Sequence, residues 1–176
     1  MQLRDEILLE HSRANALKIA HWIGKNPTRL ASLIELFLHD EYRVVQRAAW
    51  IMSMVAQEHP SLLKPHLKAM LDRMKDEGIP VAVKRNVVRV LQFMPIPEEL
   101  QGEVMDHCFR FLEDPQETVA VRAFSMTVLA NLAQQYPDIK KEIILLIEDQ
   151  LREGAQPAFI SRGKKTLKLL QAKEKK

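Results

Sequence analysis

The residues of this chain best suited to chemistry are basic. Lys84, Arg85 and Arg89 fall at i, i+1 and i+5, and Arg162, Lys164, Lys165 and Lys168 form a second group. Lys18 and Lys25 stand toward the other end. A surface of one sign focuses field and attracts polyanions, so the chemistry on offer is anion binding. The blander reading of the same residues is a solvated helix face. Other chemistries are poorly served. Glu98, Glu99, Glu103 and Asp106 share one amphipathic stretch. General acid–base work needs a carboxyl desolvated in a cleft, whereas these fall on the solvent side and suit a helix N-terminus. The histidines His11, His21, His39, His59, His66 and His107 make no HxxxH or HExxH pair. A metal needs several convergent ligands, so neither a metal nor another cofactor is expected. Cys108 falls on an apolar stripe and reads as a small core residue. The chain has no phosphate loop, no GxSxG and no dinucleotide fingerprint.

The elements that must position these residues follow from the bulk composition. The chain has 176 residues, 47% apolar and 28% charged, enough for one domain with a core of its own. One domain is expected over residues 1–172, with 173–176 read as a frayed basic tail. Five glycines and a low aromatic share argue against an all-β fold. A single cysteine cannot form an internal disulfide, which points to a reducing, cytoplasmic setting. Met1 to Glu10 carries charges and no apolar core, and no run approaches 18 apolar residues. Neither a signal peptide nor a membrane span is expected. The net charge of +3 says little about partners.

Apolar periodicity predicts helices throughout. Over 27–39, Leu30, Leu33, Ile34, Phe37 and Leu38 keep the 3.6-residue period behind Pro27, which suits a first helical turn. The same pattern predicts helices over 42–58, 61–75, 81–94, 98–113, 116–135, 138–153 and 157–172. Residues 12–24 form another, and 3–10 a short one. Gly78 reads as a stop after 61–75. Met52, Met54, Met70 and Met74 read as core filling, with an adaptable surface as the alternative. Helices of this length joined by short turns must pack antiparallel.

These helices also repeat. Pro27, Pro60, Pro97 and Pro137 recur at intervals of about 37 residues, which with two helices per period marks an α-solenoid. Asp40 precedes a helix with Arg47, Asp76 one with Lys84 and Arg85, and Asp114 one with Arg122. The segment from Asp114 to Ala123, the one from Asp40 through Arg47-Ala48-Ala49, and Asp76 through Val83-Lys84 resemble HEAT repeats. Ser12-Arg13-Ala14 and Ser161-Arg162-Gly163 look like terminal copies.

The resemblance implies an all-α, armadillo-like fold: a right-handed α-α superhelix of about four to five hairpins. It gives Asp40, Arg47, Asp76, Asp114 and Arg122 structural roles, with such arginines pairing with turn acids and carbonyls of adjacent units. Arg13 and Arg162 lack a clear acidic partner. The resemblance also puts the second helices, 12–25, 41–58, 79–94, 116–135 and 155–172, on the concave side. Basic residues outnumber acidic ones there and the reverse holds for the first helices, so the inner face is expected to be basic. The function implied is non-catalytic binding or scaffolding, with an acidic protein segment as partner. The residues expected to hold it are Arg43, Lys84, Arg85, Arg89, Arg162, Lys165 and Lys168. The alternative partner is nucleic acid, because Gln46-Arg47-Ala48-Ala49 resembles a fragment of the repeat in DNA alkylation-repair glycosylases. Glycosylase chemistry itself is not expected, since neither Trp22 nor Trp50 has an acid one turn onward. A small-molecule ligand is not expected either.

Overall fold

A computed structural model describes residues 1–172, so the 173–176 tail lies outside the described residues. The described residues form ten α-helices and no strand. They are α1 (Leu3–Leu9), α2 (Arg13–Ile23), α3 (Pro27–His39), α4 (Tyr42–Glu58), α5 (Leu67–Arg73), α6 (Val81–Leu91), α7 (Glu98–Glu113), α8 (Val119–Leu132), α9 (Lys140–Glu153) and α10 (Pro157–Gln171). Among the described residues no helix is long and apolar enough to cross a membrane. The chain gathers into two compact units, Met1–Pro97 and a second that opens at Glu98.

In the first unit three hairpins, α1/α2, α3/α4 and α5/α6, stack so that second helix meets second helix: α2 packs on α4, and α4 on α6. The apolar stripes predicted for α3 and α4 are the core, with Leu30, Leu33, Phe37, Val44, Ala48 and Met52 fully buried. Met54, Met70 and Met74 are buried as well, so the methionines fill the core rather than a surface. Caps fix where the helices start. Ser12 Oγ accepts from the Asn15 N–H at 3.1 Å, and Asn26 Oδ1 accepts from Thr28 and Arg29 at 3.0 and 3.1 Å.

In the second unit α7 packs on α8, α9 on α10, and the second helices α8 and α10 on each other. Gly163 lies where a Cβ would come within 3.1 Å of Ile147 Cγ2, so α10 approaches α9 closely. Burial pushes the Cys108 thiol up to about 12, partly offset by its hydrogen bond with Ser125, which makes it an inert core group.

Several helix boundaries differ from the periodicity: α6 ends at Leu91 rather than 94, α8 ends at Leu132 rather than 135, α9 begins at Lys140 rather than 138, and two further differences have a local cause. The stretch 61–75 is split into a 3₁₀ segment, Pro60–His66, and α5. Pro65 lacks the N–H that an α-helix would need there. Gly78 does adopt φ +67°, but in the turn beyond the helix, which ends at Arg73. Helix α8 begins at Val119 rather than 116. Asp114 Oδ1 accepts from the Gln116 N–H at 2.8 Å and holds a turn, and Thr118 then caps Val121.

Candidate anion-binding groove

In the first unit two helix faces meet the α1–α2 turn around a groove of about 250 Å³. Helix α4 contributes Gln46 and Trp50; α6 contributes Arg85, Asn86 and Arg89; the turn contributes His11. On α6 Arg85 and Arg89 are one turn apart, opposite the buried Val83, Val87 and Val90 that lock the helix in place. The turn carrying His11 is pinned by Asn15, whose amide donates to Glu6 O at 2.9 Å and Glu10 O at 3.2 Å. The His11 ring then meets Trp50 edge-on, with centroids 5.7 Å apart.

Among the described residues no carboxylate lines this groove. Arg85 is exposed and Arg89 half-buried. Burial lowers the pKa of Arg89, and the neighbouring Arg85 charge lowers it further. Among the described residues neither guanidinium has a carboxylate or a hydrogen-bond acceptor of its own. Most arginines of the chain have a partner within it. Arg4, Arg73, Arg110 and Arg152 pair with Asp40, Asp76, Asp106 and Asp149. Arg29 donates to Trp22 O and stacks on its ring at 4.5 Å. The groove is therefore a place where the chain has gathered positive charge without balancing it.

A contrasting pocket of about 360 Å³ lies in the second unit, beside the ends of α7 and α9. Glu113, Glu117 and Glu153 rim it and Arg122 lies at its wall. Arg122 donates to Gln150 Oε1 and stacks on the buried Phe159 at 4.7 Å. Gln150 passes the link on, its amide donating to Leu112 O at 2.7 Å.

A family model for the HEAT repeat domain matches residues 3–170. The chain belongs to the HEAT repeat family. No curated protein and no solved structure matches it. As a HEAT array it is an all-helical repeat protein, of a family that is typically non-catalytic and commonly serves protein interaction. Among the described residues no group of three or more His, Cys, Asp or Glu is arranged to hold a metal ion.

The residues read as repeat positions have varied partners. Arg47 donates to the carbonyls of Ile7 and Leu8 at 2.8 and 3.1 Å and so closes the C-terminal end of α1. Asp40 instead binds Arg4 through both oxygens, at 2.8 and 3.0 Å. Asp76 pairs with Arg73 of its own turn at 2.7 Å.

Of the residues expected to bind, Arg85 and Arg89 line the groove together. Arg43 is exposed one turn before Gln46 on the same face of α4. Lys84 is half-buried and already engaged. Lys165 and Lys168 are exposed on α10 in the second unit. Arg162 is held within that unit. It donates to Thr127 Oγ1 at 2.8 Å and reaches Ala123 O at 3.5 Å, with its guanidinium 5.8 Å from the Phe124 ring centroid. His11, Gln46 and Trp50 were not among the expected site residues. The signal for Gln46 and Trp50 was present, at i+3 and i+7 from Arg43. His11 enters only through the packing of the α1–α2 turn.

Proposed function

We propose that this HEAT repeat chain is a non-catalytic binding protein whose first unit holds an acidic protein segment along the groove between α4 and α6. The observation that carries this reading is the pair Arg85 and Arg89, which among the described residues are unpaired and unopposed by any carboxylate in the groove wall. An acidic segment would supply the missing counter-charge, and a guanidinium is suited to bidentate recognition of carboxylates. Arg43 would extend the same face. Lys165 and Lys168 would offer a separate basic face on α10, where Arg162 would serve more as a brace than as a contact. A cytoplasmic setting is part of the proposal and rests on a single, fully buried cysteine.

Nucleic acid is the second reading, because phosphates would meet the same two guanidiniums. Single-strand binding draws on exposed aromatic faces, and Trp50 is half-buried with His11 set against it, which favours the protein segment.

The experiment is a charge reversal. Arg85→Glu with Arg89→Glu should abolish binding of acidic peptides while helicity and melting temperature stay close to those of the parent. Loss of folding in step with binding would sink the assignment. Labelled single- and double-stranded DNA and RNA, run alongside at two salt concentrations, decide between the partners. Salt-sensitive binding of nucleic acid without binding of acidic peptides would hand the groove to the second reading.

A further inference from the structure

The charge and donors of the groove bear on which anion it would hold. We infer that it receives a phosphorylated side chain, a phosphoserine or phosphothreonine within the acidic segment, between the guanidiniums of Arg85 and Arg89. This rests on the reading of the groove as the seat of an acidic protein segment and narrows it.

The argument is one of charge and donor number. Arg85 and Arg89 bring two positive charges to one turn of α6, and among the described residues none that lines the groove is acidic. A carboxylate carries one negative charge and two oxygens, so a single Asp or Glu would engage one guanidinium fork and leave the other unmatched. A phosphate monoester carries close to two negative charges and three acceptor oxygens. It matches the pair in charge and can take a fork from each side. Gln46 and His11, on the facing wall, add an amide and an imidazole that can donate to the third oxygen. Arg89 sharpens the case. It is half-buried, its charge disfavoured by burial and by Arg85, so a dianion would relieve both costs and a monoanion only part of them.

The site is preorganised. Val83, Val87, Val88 and Val90 are fully buried and fix the rotation of α6, and the contact of His11 with Trp50 fixes the opposite wall. A 250 Å³ groove has room for a phosphate group and the side chain bearing it.

The test uses the full chain and three pools of labelled acidic peptides. Their flanking positions are degenerate, and the central residue is fixed as phosphoserine, serine or glutamate. Fluorescence anisotropy should show the phosphoserine pool binding at least about tenfold more tightly than the glutamate pool, the glutamate carrying the lesser charge. Arg85→Gln should erase that preference, and because Arg85 is exposed this variant keeps its fold. Arg89→Lys, which retains the charge but not the fork, should weaken it. Equal binding of the phosphoserine and glutamate pools overturns the phosphate assignment and leaves the acidic-segment reading standing. A phosphoserine preference that survives both substitutions also overturns it, by placing the phosphate elsewhere. Failure of all three pools overturns both readings together.

Discussion

The groove of the first unit and the pocket of the second are built from the same ingredient, arginine on the second helix of a repeat, and put it to opposite uses. Arg122 is consumed by its own unit. It is bonded to Gln150 and laid over Phe159, and although burial lowers its pKa, Asp114 and Glu117 push the other way. Arg89 suffers the same burial, but the next charge it meets is Arg85, which adds to the cost. One guanidinium has two acids of its own unit nearby, and the other has a second arginine. Register within the repeat does not decide an arginine's role; what the neighbouring elements place against its guanidinium does.

The largest effect expected from breaking this comparison lies on the structural side. Gln150→Leu removes the acceptor of Arg122 and the donor to Leu112 O in one step. Both are part-buried, so urea denaturation should show a loss of about 1–3 kcal/mol, while acidic-peptide binding in the first unit stays unchanged. A loss within about 0.5 kcal/mol, the range of an ordinary surface substitution, would mean that Arg122 is no better anchored than Arg85.

How far the sequence could be read follows the same division. The apolar stripes of α3, α4 and α6 and the proline-opened hairpins were legible because period and turn chemistry are local. So was the HEAT character, carried by Asp40, Arg47, Asp114 and Arg122. Partners were not legible. Nothing local says that Arg47 closes α1 through Ile7 and Leu8 while Asp40 turns to Arg4. These links join residues dozens of positions apart. The same limit applies to the site. Arg85 and Arg89 stood out as a basic cluster, but so did Arg162, and only packing separates a guanidinium held by Thr127 from one left open. The break in 61–75 follows from Pro65, whose missing N–H a continuous α-helix would need.

A smaller effect concerns Asp40, the case where an arginine is satisfied by an acid. The Arg4 guanidinium holds the Asp40 carboxyl below the usual carboxylate range, with help from the Glu41 N–H at 2.7 Å, against the opposing effect of burial. Its folded pKa is lower than its unfolded one. The stability it contributes is therefore present above about pH 4 and is lost as pH falls through the folded value. Asp40→Asn should accordingly melt below the parent at neutral pH, with the gap closing as the pH is taken toward 2. The gap should be small, because Arg4 is 46% exposed and solvent screens the pair. A gap that persists unchanged in acid would mean that Asp40 acts as a cap on its turn rather than as a charge partner.

The smallest effect is the most informative about the groove. Arg85→Gln should leave stability within about 0.5 kcal/mol of the parent and should not lower it, because Arg85 gives Arg89 repulsion rather than support. The two proteins should part only when an anion is added. A ligand that binds the folded state raises its stability in proportion to occupancy, so inorganic phosphate should raise the melting temperature of the parent more than that of Arg85→Gln. Sodium chloride at matched ionic strength controls for screening, which would act on both alike. A clear drop in the melting temperature of Arg85→Gln without any anion present would show that Arg85 already has work inside the fold. The contrast with Arg122 would then collapse, because both arginines would be structural and the groove would have no spare charge to offer a partner.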